Sequence, residues 1–340
     1  MIELRRIRKV FNKGTSTENV ALNNVNLLLK SGDFVTIIGG NGAGKSTLLN
    51  IVAGSLEADE GLILLNNNDV SRLPEHKRAP YFGRVFQDPM MGTAADMTVL
   101  ENLSLAYGRG KRRSLFRWSI QQKDKEYFIE QLKSLGLGLE ERLTQKVGLL
   151  SGGQRQALTL LMATIRQEPN HRVIRRDYIR FFDGDKKQAK EDFDKAYKEV
   201  KEEWLKAKQE IKKSSLPKEE KKEKLKEVYK EFDKKVRVFD LTKPVLLLDE
   251  HTAALDPKTA EKVLEITDRI VKENTLTTIM ITHNMKDAIK YGNRLVMMSK
   301  GNIVVDIEGE EKQKLTIEHL LNMFSEASHD MLSDSAILGD

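Results

Sequence analysis

Gly39-Gly40-Asn41-Gly42-Ala43-Gly44-Lys45-Ser46-Thr47 fits the pattern G-x-x-x-x-G-K-[ST] of a phosphate-binding loop. Glycines let backbone N–H groups converge on phosphate oxygens without a Cβ in the way, and a helix that follows presents its positive N-terminus. Lys45 is placed to neutralise β- and γ-phosphates, and the Ser46 hydroxyl to ligate Mg2+. Such a loop needs an acid that orders the metal, expected on a neighbouring strand. Val245-Leu246-Leu247-Leu248-Asp249-Glu250 supplies one. Asp249 ends a buried apolar run, and Glu250, one step further, can accept a proton from an attacking water. Either motif alone has a bland reading, as a Gly-rich turn or as a strand that ends in acids. Together they describe one phosphate-transfer site.

The flanking segments are those such a site requires. The apolar run Phe34-Val35-Thr36-Ile37-Ile38-Gly39 precedes the loop, and Ser46-Thr47-Leu48-Leu49-Asn50-Ile51-Val52 follows it with helical character. Beyond Glu250, residues 258–273 read as a helix and 277–282 as a strand. Strands that alternate with helices imply a parallel sheet covered by helices, with ligands at the carboxyl ends of the strands.

Four further motifs narrow the class. Leu150-Ser151-Gly152-Gly153-Gln154, Gln87 in Val85-Phe86-Gln87-Asp88-Pro89, Asp256 in Ala253-Ala254-Leu255-Asp256-Pro257 and His283 in Ile281-Thr282-His283-Asn284-Met285 occur with the two site motifs in a characteristic order. In this combination the chain resembles the ATP-binding cassette (ABC) family over about residues 1–165 and 244–325. The resemblance implies an α/β fold with a P-loop NTPase (RecA-like) core, a mostly parallel sheet, an N-terminal antiparallel β portion and an α-helical subdomain. It implies Mg-dependent hydrolysis of ATP in a head-to-tail homodimer. Gly39, Gly40, Asn41, Gly42, Ala43, Gly44, Lys45, Ser46 and Thr47 would hold ATP, while Ser151, Gly152, Gly153 and Gln154 of a second copy close over its γ-phosphate. Ser46, Gln87 and Asp249 would surround Mg2+. Glu250, His283, Gln87 and Lys45 would carry the chemistry, and Asp256 would form the D-loop. Phe11 stands where family members stack an aromatic on adenine; its alternative is a core phenylalanine. One departure is His251, where proline is common in the family. It is not expected to abolish activity, because the ligating acids precede it.

The chain has 340 residues, 39% hydrophobic and 32% charged, and no cysteine. Disulfides and thiolate metal sites are thereby excluded. No uncharged apolar run approaches the roughly 18–20 residues that span a bilayer. Direct membrane insertion is not expected, and the family resemblance implies a cytoplasmic protein, peripheral on the inner face of the cell membrane. The net charge of +6 is concentrated: residues 166–243 carry 25 Lys and Arg against 18 Asp and Glu. The remainder has no basic bias, and no nucleic-acid partner is expected. The basic stretch 108–118 reads as a solvated connecting loop, with a patch lying near anionic lipid beneath a permease as its alternative.

In cassettes of this kind roughly two dozen residues separate the signature serine from the acidic strand, whereas Ser151 and Asp249 lie 98 positions apart, an excess of about 75. Within the excess, Phe193, Tyr197, Val200, Trp204 and Ile211 share one helical face, and Leu225, Val228, Tyr229, Phe232 and Val236 another. Ser214-Ser215-Leu216-Pro217 breaks the pattern between them. The expected organisation is a nucleotide-binding core in 1–85 and 244–325, a helical subdomain in 86–165, an inserted charged helical hairpin in 166–243, projecting from the face away from ATP, and a tail in 326–340. The segments around Gln87, Ser151 and Asp249 resemble importer ATPases associated with tryptophan or tyrosine uptake, which work with an integral membrane permease and a separate substrate-binding protein. The alternative is a soluble ABC ATPase acting in translation or DNA maintenance.

Overall fold

The computed structural model describes residues 1–109, 120–165, 174–175, 178–179, 185–236 and 245–328. Most of the basic stretch 108–118, both ends of the inserted segment and most of the C-terminal tail therefore lie outside the described residues. In chain order, β1 (Ile2–Phe11) and β2 (Asn19–Leu29) lead to β3 (Phe34–Ile38), and the glycine loop opens α1 (Lys45–Ala53). β4 (Glu60–Leu65), β5 (Asn68–Asp69), the short α2 (Glu75–Arg78) and β6 (Phe82–Val85) follow. Helices α3 (Val99–Tyr107), α4 (Gln122–Leu135) and α5 (Gly152–Thr164) precede the pair α6 (Lys186–Lys213) and α7 (Lys218–Val236). The chain continues through β7 (Val245–Asp249), α8 (Pro257–Asn274), β8 (Thr278–Ile281), α9 (Met285–Lys290), β9 (Arg294–Ser299), β10 (Asn302–Glu308), α10 (Gly309–Gln313) and α11 (Ile317–Ser328).

Two compact units result: Met1–Leu65, Asp69–Gln167 and Pro244–Asp340 form one, and Asn66–Asn68 with Glu168–Lys243 form the other. In the first, β2, β1 and β4 make a sheet in that order, with β1 antiparallel to both β2 and β4. The second sheet runs β10-β9-β3-β8-β7-β6, parallel except for β10.

The period of two along each strand divides the core. Leu247, Ile279 and Ile281 pack with α1 and the antiparallel sheet. Leu246, Leu248 and Met280 face the opposite way, into a core shared with α3, α4, α5 and α8. Burial on both faces explains why β7 and β8 read as unbroken apolar runs rather than alternating ones. Contact between α5 and the sheet depends on Gly83 of β6, where a Cβ would lie 2.1 Å from the Ala163 carbonyl oxygen.

In the second unit, Phe193, Phe232, Val236 and Ile174 are buried, with Tyr178, Tyr197, Val200 and Trp204 packed against them. Tyr197 meets Phe232 at 6.1 Å between ring centroids, and Trp204, further along α6, meets Tyr229, earlier on α7. The two helices are therefore antiparallel. α6 ends at Lys213 and α7 begins at Lys218, where the Pro217 carbonyl accepts the Lys221 N–H.

Arg109 departs from the solvated loop expected for the basic stretch. Its guanidinium is partly buried and donates to the Phe82, Met162 and Ala163 carbonyls, tying the ends of β6 and α5. No helix among the described residues is long and apolar enough to cross a membrane.

Candidate functional site

The phosphate loop turns at the carboxyl end of β3. Gly39 has φ 153° and a Cβ there would come within 2.3 Å of the Met298 carbonyl oxygen; Gly44 has φ 97° and would meet the Ala21 carbonyl at 2.4 Å. Both positions therefore demand glycine. Gly40, Asn41, Gly42 and Ala43 lie between them, and Ser46 and Thr47 open the first turn of α1, with Ser46 exposed. Lys45 is buried, and its Nζ donates to the carbonyls of Gly39 at 2.7 Å and Gly40 at 3.1 Å. Burial lowers its pKa, and the charges of Glu250 and Asp249 oppose that shift.

Asp249 ends β7, in register with Ile281 of β8. The sheet order corrects one expectation: the acid is not on the strand beside the phosphate loop, because β8 lies between β3 and β7. That intervening strand carries the next polar group. His283 follows β8, and its Nε2 stands 2.5 Å from Glu250 Oε1. Glu250 adopts φ 46° and donates its N–H to the Ile281 carbonyl at 3.1 Å, so the backbone is fixed at the same strand end. The hydrogen bond from His283 holds the Glu250 carboxyl below its ordinary range, against desolvation. Asp249 is shifted upward by burial, an effect that Arg84 moderates.

His251 turns away from these groups. It is buried, with Nε2 3.1 Å from Thr267 Oγ1 of α8, and burial lowers its pKa to about 4. It packs against α8 rather than beside Asp249 and Glu250.

Gln87 lies exposed in the loop after β6. Ser151 caps α5: its Oγ accepts the Gln154 N–H at 3.3 Å, and the Gln154 side chain returns a bond to the Ser151 N–H at 3.2 Å. A Cβ on Gly153 would lie 2.2 Å from Thr259 Cγ2, and one on Gly152 would lie 3.2 Å from Leu255. The signature turn thus packs beside the start of α8, where Asp256 Oδ1 accepts the Thr259 N–H at 3.1 Å. Gln156, one turn into α5, donates to the Phe86 carbonyl beside Gln87 at 3.3 Å. The phosphate loop, Asp249, Glu250 and His283 form one group at the strand ends, and Ser151, Gly152, Gly153 and Asp256 form another. Phe11 closes β1 as an exposed ring, 36% accessible, so the core alternative does not hold.

Sequence reading missed Arg84. Its Nη2 donates to Asn50 Oδ1 at 2.6 Å and lies 3.4 Å from Asp249 Oδ2. An arginine inside the apolar strand Phe82–Val85 was the available signal. It also lines a cleft of about 300 Å³ with Phe82, Phe86, Met91, Arg109 and Met162.

The oxygen donors expected around the metal, the Ser46 hydroxyl, the Asp249 carboxylate and the Gln87 amide, are of the type that a hard divalent cation takes. No group of three or more His, Cys, Asp or Glu among the described residues stands ready to hold a metal. Few protein ligands are what Mg2+ requires when phosphate oxygens and water complete its shell.

Comparison with known proteins bears on the family and the fold. A model of the ABC transporter family matches residues 22–170. The tyrosine transport ATP-binding protein of Clostridioides difficile is 35% identical over 96% of this chain and 100% of its own length. The phosphonates import ATP-binding protein of Lactococcus lactis is 26% identical over 94% of this chain and 98% of its own. Among solved structures, a dimeric bacterial ABC transporter cassette superposes with a TM-score of 0.59 at 23% identity, covering 91% of this chain and 98% of that one. An ADP-bound cassette of an ABC transporter gives 0.58 at 22%, with 92% of each chain covered. The fold is that of an ABC cassette, a parallel core sheet joined to an N-terminal antiparallel sheet. The chain belongs to the ABC transporter family, as an ATP-binding, ATP-hydrolysing cassette.

Proposed function

We propose that this cassette powers import of an aromatic amino acid, with tyrosine the first candidate, through a partner permease supplied by a separate substrate-binding protein. The observation that carries the substrate class is the full-length similarity to a tyrosine transport ATP-binding protein. Backbone N–H groups of the phosphate loop and Lys45 bind the phosphates, and Phe11 stacks on adenine. Ser46, Asp249 and Gln87 hold Mg2+, which when bound neutralises phosphate charge. Glu250 accepts the proton of the attacking water, and His283, hydrogen-bonded to it, keeps that carboxylate ionised and aimed.

ATP closes two copies head to tail, so that Ser151 and Gly153 of one meet the γ-phosphate held by the other. A Ser-Gly-Gly helix start offers a hydroxyl, bare N–H groups and a positive dipole end. The cleft beside Gln87, lined by Phe86, Met91 and Met162 with Arg84, Arg109 and Glu75, offers the permease a largely apolar seat. Met90 and Met91 beside it are exposed, as suits an adaptable docking surface. Gln156 joins this edge to the signature helix, giving docking a short physical route to the γ-phosphate. Residues 86–165 act as the coupling subdomain on the 1–85 and 244–325 core, and the 166–243 hairpin as an accessory arm. The assembly works at the inner face of the cell membrane.

The test is uptake of labelled tyrosine in cells lacking this chain. Wild type should restore it. Glu250→Gln should bind ATP, accumulate as a closed dimer and restore nothing. Failure of well-expressed, ATPase-active wild type to restore uptake removes the tyrosine assignment, and wild-type turnover by Glu250→Gln removes Glu250 as the base.

A further inference from the structure

Arg84 lies on β6 in register with Leu247 of β7. Leu247 faces α1, and two residues on, Asp249 faces the same way. The Arg84 guanidinium therefore sits between α1 and the acid. The α1 side holds it firmly: Nη2 donates to Asn50 Oδ1 at 2.6 Å and Nη1 to Ser55 Oγ at 3.2 Å. The Phe86 ring lies 4.5 Å from the guanidinium carbon. Toward Asp249 the contact is different. It is a single long hydrogen bond of 3.4 Å from an Nη2 that also donates to Asn50, and the buried Nε has no hydrogen-bond partner. A guanidinium built to orient a carboxylate would present two parallel N–H groups at shorter range. Here the charge is fixed mainly by Asn50 and Ser55 and reaches the acid through one long bond. Both side chains are about 15% exposed, so water screens the pair weakly.

We propose that Arg84 is a counter-charge on Asp249 that competes with the divalent cation and so sets how tightly the cassette holds its metal. The inference rests on the reading of Asp249 as the metal-ordering acid. A fixed guanidinium beside that carboxylate offsets part of the negative charge and opposes a second cation close by. Removing the charge while filling the space should therefore tighten metal binding. Arg84 is a positioning residue acting through Asp249, since it holds that carboxylate's charge in check without being assigned a contact to substrate.

The experiment titrates Mn2+ into the full chain equimolar with a non-hydrolysable ATP analogue, reading free Mn2+ by electron paramagnetic resonance. Arg84→Gln and Arg84→Met should bind Mn2+ about tenfold more tightly than wild type, while Arg84→Lys, which keeps the charge, stays close to wild type. Asp249→Asn should weaken binding, and adding Arg84→Gln to it should change little. Metal-free binding of the analogue shows that each variant is folded. Equal or weaker Mn2+ binding by Arg84→Gln and Arg84→Met, with Asp249→Asn weakened as expected, overturns the inference while leaving the metal site in place. If Asp249→Asn binds Mn2+ as wild type does, the reading of Asp249 fails and takes the inference with it.

Discussion

Glu250 holds a left-handed backbone, φ 46°, at a cost of about 1–2 kcal/mol for a residue with a Cβ. The conformation turns the chain at the strand end and leaves its carboxylate against His283. Its neighbour His251 goes the other way, into the contact with α8, and its burial has a consequence for stability. With a folded pKa of about 4 against an ordinary 6.5, His251 binds a proton in the unfolded chain but not in the folded one between those values. Stability is then fully present above pH 6.5 and falls as the pH drops toward 4, where the loss levels off. Between pH 7.5 and 5.5 the His251 contribution should fall by about 1 kcal/mol, which lowers the melting temperature by ~1–2 °C. His251→Asn should be less stable at pH 7.5 but lose less over that interval. Equal losses in the two proteins would show that His251 titrates normally. Lys45, Ser46, Asp249, Glu250 and His283 were legible because their spacing along the chain is itself the motif. Arg84 and Thr267 were not, because what defines them is a partner far away in sequence: Asp249 lies 165 positions from Arg84.

Elements bring those positions together, and their close approaches are where single methyl groups count. Gly83 lets β6 pass the last turn of α5, and the obstructing atom is the Ala163 backbone oxygen, which cannot swing aside as a flexible side-chain end would. Gly83→Ala should therefore destabilise the chain by about 1–3 kcal/mol. The displaced α5 should also loosen the Gln156 bond to Phe86, which flanks Gln87. Denaturant unfolding measures the first effect. A variant as stable as wild type would mean that the two elements can part without cost. The elements themselves were legible from apolar runs and glycine turns. Their order across the sheet was not. Periodicity identifies β3, β7 and β8 as strands, but it does not say that β8 lies between the other two, and that order puts His283 beside Glu250. The N-terminal antiparallel sheet was expected from family likeness and not from alternation alone, because β1 and β2 carry register shifts that blur their period.

On the scale of the whole molecule, the inserted hairpin is a compact unit with an aromatic core of its own. Its helix boundaries were legible, since the stripes and Pro217 mark them. Ile174 and Tyr178 of its core were not, because they come from a stretch with no sustained helical period. The family match covers residues 22–170 and so does not extend over the helical pair of this unit. Replacing residues 169–241 with a short Gly-Ser linker should leave basal ATP hydrolysis within a few-fold of wild type. The hairpin's rings bury against one another: Phe193 stacks on Tyr197 at 5.9 Å, and Trp204 meets Phe232 at 5.3 Å. Removing them together takes both sides of each contact and leaves no unpaired half. Loop length at the junction carries only a logarithmic entropic cost, so exchanging a long insertion for a short one shifts stability modestly. Hydrolysis by the purified deletion protein, with circular dichroism and melting to establish its fold, is the measurement. If the arm serves docking, co-purification with the permease falls while ATP binding survives. A deletion protein that folds yet neither binds nor hydrolyses ATP would show that the catalytic machinery depends on the hairpin.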